Sequence, residues 1–336
     1  MNTDKKLGIA NQAGLFTLAL RLVIGWTYFS AFWRRVALEN KLDPDAVGYI
    51  GEKFNHFLPN ALGIKPIIEY LVSNPDALYV NMVAFTIVEG IVGLFLILGI
   101  FSRLSAIGVF SLAMGILLGS GWIGTTCLDE WQIGVLGLAG GFTLFFSGSS
   151  NYSLDHYFMK NNFKFTEKKW FKWLGSGELK LKNTKQYVLA GSIAILGLTL
   201  ATNQIFHGGV WGTLHNKSVR PIVEINNIQN NKNKLQFEVY RVEGADVYGS
   251  FLIGIEILDK NGNAVLVLEG SDLANFPLNN ISNHYIAKVK PGKHSMIIPL
   301  GAKADLSLAT EELGEITGYT LKLIDISGIE WERTIP

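Results

Sequence analysis

The sequence predicts a membrane α-helical bundle of four helices plus a fifth tethering helix, joined to a C-terminal all-β immunoglobulin-like sandwich. Three observations predict it. Mean hydropathy is +0.26, and only 17% of the 336 residues are charged, against about 25% in soluble domains. Five apolar runs, each near the roughly 20 residues needed to cross a hydrocarbon core, are confined to the first 206 residues. Beyond Gly208 the apolar spacing changes to alternation along β-branched stretches broken by turn dipeptides such as Asn261-Gly262 and Pro291-Gly292.

The five runs are 14–36, 78–100, 103–121, 130–147 and 187–206. The first carries Arg21 in its middle and lacks a small-residue cleavage site, so it reads as a retained helix and not a signal peptide. Orientation follows from lysine and arginine placement. Segment 148–186 holds Lys160, Lys164, Lys168, Lys169, Lys172, Lys180, Lys182 and Lys185 against Asp155, Glu167 and Glu178, which makes it cytoplasmic. Lys5, Lys6 and Arg103 then also lie inside, and loops 37–77 and 122–129 and residues 207–336 lie outside, the periplasmic side of an inner membrane. Loop 37–77 is long, and its apolar spacing predicts amphipathic helices on the membrane surface, forming a lid. Strands are expected at 219–228, 234–242, 249–258, 264–269, 284–290, 293–299 and 318–326. The organisation is therefore a helical domain at 1–159, a basic linker at 160–186, a fifth helix at 187–206 and a β domain at 207–336.

A net charge of +1 and the absence of an aromatic-interleaved basic run exclude a nucleic-acid partner. A single cysteine, Cys127, excludes an intrachain disulfide and any CxxC pair. Without an HExxH, P-loop, GxGxxG or CxxCH motif, no metal, nucleotide or haem cofactor is indicated.

Charges at membrane depth cost several kcal/mol unless paired or hydrated. Arg21 in the first helix and Glu89 in the second are thus expected to pair, as a structural ion pair or a proton-handling one. Arg21, Gly25, Tyr28, Phe32 and Arg35 recur at 4-3-4-3 spacing and form one stripe. Arg34 and Arg35 sit where arginine is disfavoured, and two guanidinium groups suit a bidentate oxyanion, although snorkelling to lipid headgroups would also place one of them. Cys127 precedes a helix N-terminus that favours a thiolate, while Asp129 and Glu130 oppose it; a lone cysteine also serves simply as a small buried residue. Trp33, Trp122 and Trp131 suit an interfacial aromatic belt. His207 and His215 flank a glycine-rich turn and are too far apart to claim a metal.

The runs Phe101-Ser-Arg103-Leu, Gly121-Trp122 to Trp131, Phe146-Ser147-Gly148 and Tyr152-Ser-Leu-Asp155 resemble the DoxD membrane subunit of thiosulfate:quinone oxidoreductase. The stretch Gly208-Gly-Val-Trp-Gly-Thr-Leu-His-Asn216 and the β-rich remainder resemble its DoxA subunit, so the chain looks like the two fused. The resemblance implies a thiosulfate dehydrogenase that joins two thiosulfates into tetrathionate and passes two electrons to the quinone pool, of ubiquinone, menaquinone or caldariellaquinone type. On that reading Cys127 is a relay nucleophile with Asp129 or Glu130 moving protons, and Arg34, Arg35, Trp122 and His207 hold thiosulfate. Trp131, Trp33 and Tyr28 contact the quinone, membrane lipid is a partner, and a homo-oligomer is compatible. A transporter or channel for a small sulfur oxyanion is the alternative that uses the same arginines without redox chemistry.

Overall fold

A computed structural model describes residues 12–46, 48–124, 129–177, 179, 181–231, 233–245 and 250–336. In chain order the helices are α1 Leu18–Trp33, α2 Ile50–Phe57, α3 Lys65–Ser73, α4 Pro75–Leu98, α5 Ser102–Ser120, α6 Asp129–Ser147, α7 Leu154–Lys160, α8 Lys169–Leu174, α9 Thr184–His207 and the short α10 Gly270–Ala274. The chain divides into two compact units, one comprising Met1–Tyr49, Tyr79–Gly121 and Asp129–Leu214, the other Ile50–Leu78, Trp122–Leu128 and His215–Pro336.

The first unit is helical. Among the described residues α4, α5 and α9 are long and apolar enough to cross a membrane. The other two expected spans also fold as helices, but α1 has 16 residues and α6 opens on Asp129 and Glu130. Small residues set the packing: a Cβ added to Gly134 would lie 2.8 Å from that of Leu117, and one on Gly137 would lie 2.7 Å from that of Ala113. Backbones of α5 and α6 therefore approach as only small faces allow. Tyr28, Leu96, Ala106, Val109, Leu112 and Leu144 form the buried core of this unit. In contrast, only 6% of the most apolar window of α9 is buried by the chain, so most of its apolar surface is left uncovered by protein.

One end of the bundle is closed by polar groups from the segments that resembled DoxD. Asp155 is fully buried and accepts from the Phe101 and Ser102 amides at 2.9 and 3.0 Å, the Ser102 hydroxyl at 3.0 Å and the Ser176 hydroxyl at 2.8 Å. It thus caps the start of α5, whose first N–H groups have no helical partner. Arg103, also buried, donates to the carbonyls of Phe145, Lys172, Gly175 and Gly177. The basic segment expected to be a linker therefore includes α8, which is fastened to α5 and α6 by one guanidinium.

The second unit is built on two antiparallel sheets. Its strands are β1 Ile222–Asn231, β2 Lys234–Glu243, β3 Ser250–Leu258, β4 Ala264–Glu269, β5 Ile281–Asn283, β6 Lys290–Pro291, β7 Met296–Ile298, β8 Lys303–Ala309, β9 Thr320–Asp325 and β10 Glu330–Thr334. The sheets run β1-β2-β8-β5 and β10-β9-β3-β7-β6, with β4 also on β3. Alternate residues of both, Phe237 and Val239 from one and Ile255, Ile257, Leu321 and Leu323 from the other, share one core. Two strands escape the sequence reading. In β8 the buried positions include the small Ala304, and in β10 the apolar content is reduced to Trp331 among charges. Conversely, the strand expected at 284–290 is replaced by the short β5 and β6 on either side of an irregular stretch.

Residues 50–78 fold with the sandwich. The expected amphipathic helices form, as α2 and α3, but their apolar face packs on protein. Leu58, Ile68 and Val72 cluster with Tyr285 and Ile286. Fully buried Asn55 donates to the Gly301 carbonyl at 2.6 Å and accepts from the Ala287 amide at 3.1 Å. The Tyr285 hydroxyl donates to Glu69 at 2.7 Å, and burial together with that carboxylate pushes the phenol well above its ordinary range. Replacing Asn55 by Ala leaves a buried carbonyl and amide unsatisfied and should cost about 2–3 kcal/mol. Thermal melting of the purified protein checks this, and an unchanged melting temperature would contradict the docking role.

Candidate functional site

The register between α1 and α4 positions the buried charges. A Cβ on Gly93 would lie 2.7 Å from the Gly25 carbonyl, one on Gly90 would lie 2.7 Å from the Phe32 ring, and one on Gly99 would lie 2.8 Å from a guanidinium nitrogen of Arg21. The helices are therefore antiparallel, with Arg21 level with Gly99, Gly25 with Gly93 and Phe32 with Gly90. Arg35 falls about one turn beyond Glu89 in this register. Side chains lean toward their own helix N-terminus, so Arg35 and Glu89, on antiparallel helices, lean toward each other. They form a salt bridge in which Glu89 has 4% of its side-chain surface exposed and Arg35 has 18%.

This corrects the expected pair of Arg21 with Glu89. Arg21 lies about ten residues from the level of Glu89, ~15 Å along the helix, and the same lean carries the two apart. Buried Arg21 instead donates to the Tyr152 carbonyl at 2.6 Å. The stripe Arg21, Gly25, Tyr28 is buried as expected, but it takes its two arginines to different places.

Around Glu89 the interior is otherwise nearly apolar. Buried Tyr28 lies within electrostatic reach of the carboxylate, and its hydroxyl sits 3.3 Å from where a Cβ on Gly137 would be. Thr86 is buried one turn from Glu89 on the same face of α4. Sequence reasoning missed Thr86, although its i−3 spacing from Glu89 was a usable signal. Arg34 is exposed, and its Nε donates to the Ser30 carbonyl at 3.3 Å. From Arg34 to Leu38 the helix widens to i+5 bonding, closed by the Glu39 amide on the Arg34 carbonyl at 3.1 Å, a distortion frequent at functional sites.

The remaining candidates fall elsewhere. Trp33 is exposed and stacks on Phe29 at 6.2 Å, and Trp26 continues this aromatic ladder at 6.0 Å. Trp131 donates to the Thr202 hydroxyl at 3.0 Å and meets the His207 ring edge-on at 6.5 Å. His207 is buried with Nε2 3.0 Å from the Gly121 carbonyl. Trp122 belongs to the second unit, fully buried, with its indole N–H on the Phe57 carbonyl at 3.1 Å; this donor is occupied. Glu130 is half-buried in the first turn of α6. Cys127 lies outside the described residues, as does the side chain of Asp129.

Among the described residues one group, Glu238, His284 and Asp305 in the second unit, has ligand atoms within 4.8 Å of one another. Lys303 is 3.1 Å from Glu238, and His284 Nε2 is 2.7 Å from Asp305, so both carboxylates already have partners within the chain.

An apolar helical unit in which a buried glutamate pairs with a half-buried arginine, continued into an antiparallel β unit, defines a membrane protein of two fused parts. Residues 16–182 match the family described as TQO small subunit DoxD, and residues 206–334 match TQO small subunit DoxA. The chain belongs to these thiosulfate:quinone oxidoreductase subunit families as a DoxD–DoxA fusion, which makes it an oxidoreductase-type protein of sulfur metabolism. Among solved structures, TarS of S. aureus is similar at 10% identity and a TM-score of 0.20, over 69% of this chain and 41% of that one.

Of Gly25, Gly90 and Gly93 at the contact of α1 with α4, Gly93 is the least tolerant of a side chain, since its Cβ would lie 2.4 Å from the Phe29 backbone nitrogen. Gly93→Ala should push α1 from α4 and cost about 1–3 kcal/mol, read as a lowered melting temperature in detergent, whereas Gly115→Ala, where an added Cβ meets nothing within 4 Å, should be silent.

Proposed function

We propose that the protein oxidises two thiosulfates to tetrathionate and reduces a membrane quinone to quinol: 2 S₂O₃²⁻ + Q + 2 H⁺ → S₄O₆²⁻ + QH₂. The double family match, in fusion order and covering both units, carries this reading. Its topology is the one the lysine distribution gives, with five spans, the N-terminus and the segment around α8 in the cytoplasm, and the β unit outside.

Thiosulfate is a small dianion that needs cationic donors reachable from water. Arg34, exposed at the widened end of α1, supplies the first, and Arg35 beside it supplies the second. Quinone arrives through the bilayer, and the exposed Trp26 and Trp33, linked through half-buried Phe29 on α1, offer flat apolar rings at that approach. Trp131, partly exposed and edge-on to the buried His207 ring of α9, offers a second aromatic ring.

Cys127 enters as the relay nucleophile on sequence grounds. Its thiolate adds to quinone, one thiosulfate attacks that sulfur to release quinol and leave Cys127-S-S-sulfonate, and a second thiosulfate attacks the sulfur bearing the sulfonate. Tetrathionate departs and the thiolate returns, so one cysteine suffices. The arginines offset repulsion between dianions, an electrostatic effect worth several kcal/mol.

Purified protein should reduce a soluble quinone when thiosulfate is added. Arg34→Ala should raise KM for thiosulfate at least tenfold, and Cys127→Ser should abolish turnover while leaving the fold intact by size-exclusion profile. Thiosulfate-dependent reduction that survives Cys127→Ser would exclude the relay, and no reduction by wild type would favour an oxyanion transporter.

A further inference from the structure

Glu89 is the one carboxylate in α4 beyond its first turn, it is buried, and the guanidinium that neutralises it stands next in sequence to the exposed Arg34. The two demands on Arg35 conflict. A dianion held by Arg34 and Arg35 must compete with Glu89 for the same cation. Among the described residues the charged or titratable groups facing Glu89 are Arg35, Arg34 and Tyr28, from α1 and the widened turn that continues it. The neighbouring helices offer no substitute cation at that level. Arg103 is the only charged residue of α5 and stands in its first turn, and α6 carries Asp129 and Glu130 in its first turn and no other charge.

We propose that anion binding at Arg34 and Arg35 is coupled to protonation of Glu89. When Arg35 turns to the incoming dianion, the carboxylate is left without a counter-charge in an apolar interior, where an unpaired ion is costly. It takes up one proton and becomes neutral. No covalent bond changes and no electron moves in this step. The proton thereby lies beside the Tyr28 phenol, inside the bundle, and is one of the two that quinol formation consumes. Substrate arrival thus loads the proton before the electrons are delivered. The widened turn at Arg34–Leu38 places a loosened stretch of helix where Arg35 must swing.

The sign follows from linkage. If the bound form holds one more proton than the free form, affinity for the anion is highest at low pH and falls as pH rises. Thiosulfate stays a dianion throughout neutral and mildly acidic pH, so the slope belongs to the protein. The inference rests on the proposed anion site at the arginine pair, but not on redox chemistry there.

The test uses full-length protein in detergent without quinone, so that no turnover occurs. Sodium thiosulfate, or the redox-inert dianion sulfate, is added to a lightly buffered solution containing a pH dye, with sodium chloride as control. The expected result is uptake of one proton per bound dianion by wild type, and an affinity that weakens about tenfold per pH unit across the coupled range. Glu89→Gln, which fixes the neutral form, should bind both dianions with no proton uptake and no pH slope. Dianion binding by wild type without proton uptake, or a slope that persists in Glu89→Gln, would overturn the coupling while leaving the proposed reaction standing. Proton uptake with sulfate in a protein that reduces no quinone would support the coupling and remove the reaction. Should Glu89→Gln fail to fold, the wild-type proton count decides alone.

Discussion

A carboxylate placed within the membrane-spanning length of a helix must be neutralised, and the register of α1 on α4 depends on how this is done. Glu89 could be served by either arginine of the stripe, buried Arg21 or half-buried Arg35. The close contacts of Gly25, Gly90 and Gly93 choose between them, because they fix the two backbones at a separation and a level that brings Arg35, and not Arg21, to the carboxylate. Glycine packing and charge pairing are thus one constraint met by two kinds of residue. The register that allows contact also allows neutralisation.

With Glu89 served by Arg35, Arg21 and the segments that carried the DoxD resemblance are left for architecture. Arg21 holds the Tyr152 carbonyl, Asp155 caps α5 and Arg103 fastens α8. These motif residues close one end of the bundle through buried hydrogen bonds. The chemistry-bearing candidates Arg34, Arg35, Glu89 and Tyr28 gather about the other half of α1, where the helix loosens. Family signatures in this chain therefore mark scaffold as much as site.

The two-part architecture was legible in the sequence because membrane helices and half-buried strands write different periods, and the buried face of α1 followed from its 4-3-4-3 spacing. The partner of Glu89 was not, since spacing along one helix says nothing of register between two. The role of residues 50–78 was misread for a related reason: an amphipathic face looks the same whether lipid or protein covers it, and Tyr285 and Ile286, which cover it here, lie more than two hundred residues away. Trp122 illustrates the limit for single residues. An indole in a loop near a membrane end suits an interfacial belt or a substrate site, yet its N–H is bound to the Phe57 carbonyl within the second unit. The strands β8 and β10 were lost because alanine and charged residues weaken the alternation on which strand reading relies.

The central claim is that Glu89 is neutralised by Arg35 in the resting protein. A double-mutant cycle with Arg35→Met and Glu89→Gln, read by thermal unfolding at neutral pH, tests it most directly. The account predicts that Arg35→Met is strongly destabilising alone, by about 3 kcal/mol or more, because it strands a buried charge, and that adding Glu89→Gln restores most of the loss. A parallel cycle of Arg21→Met with Glu89→Gln should show no coupling. Additive losses for Arg35 and Glu89, or coupling of Glu89 to Arg21 instead, would contradict the account.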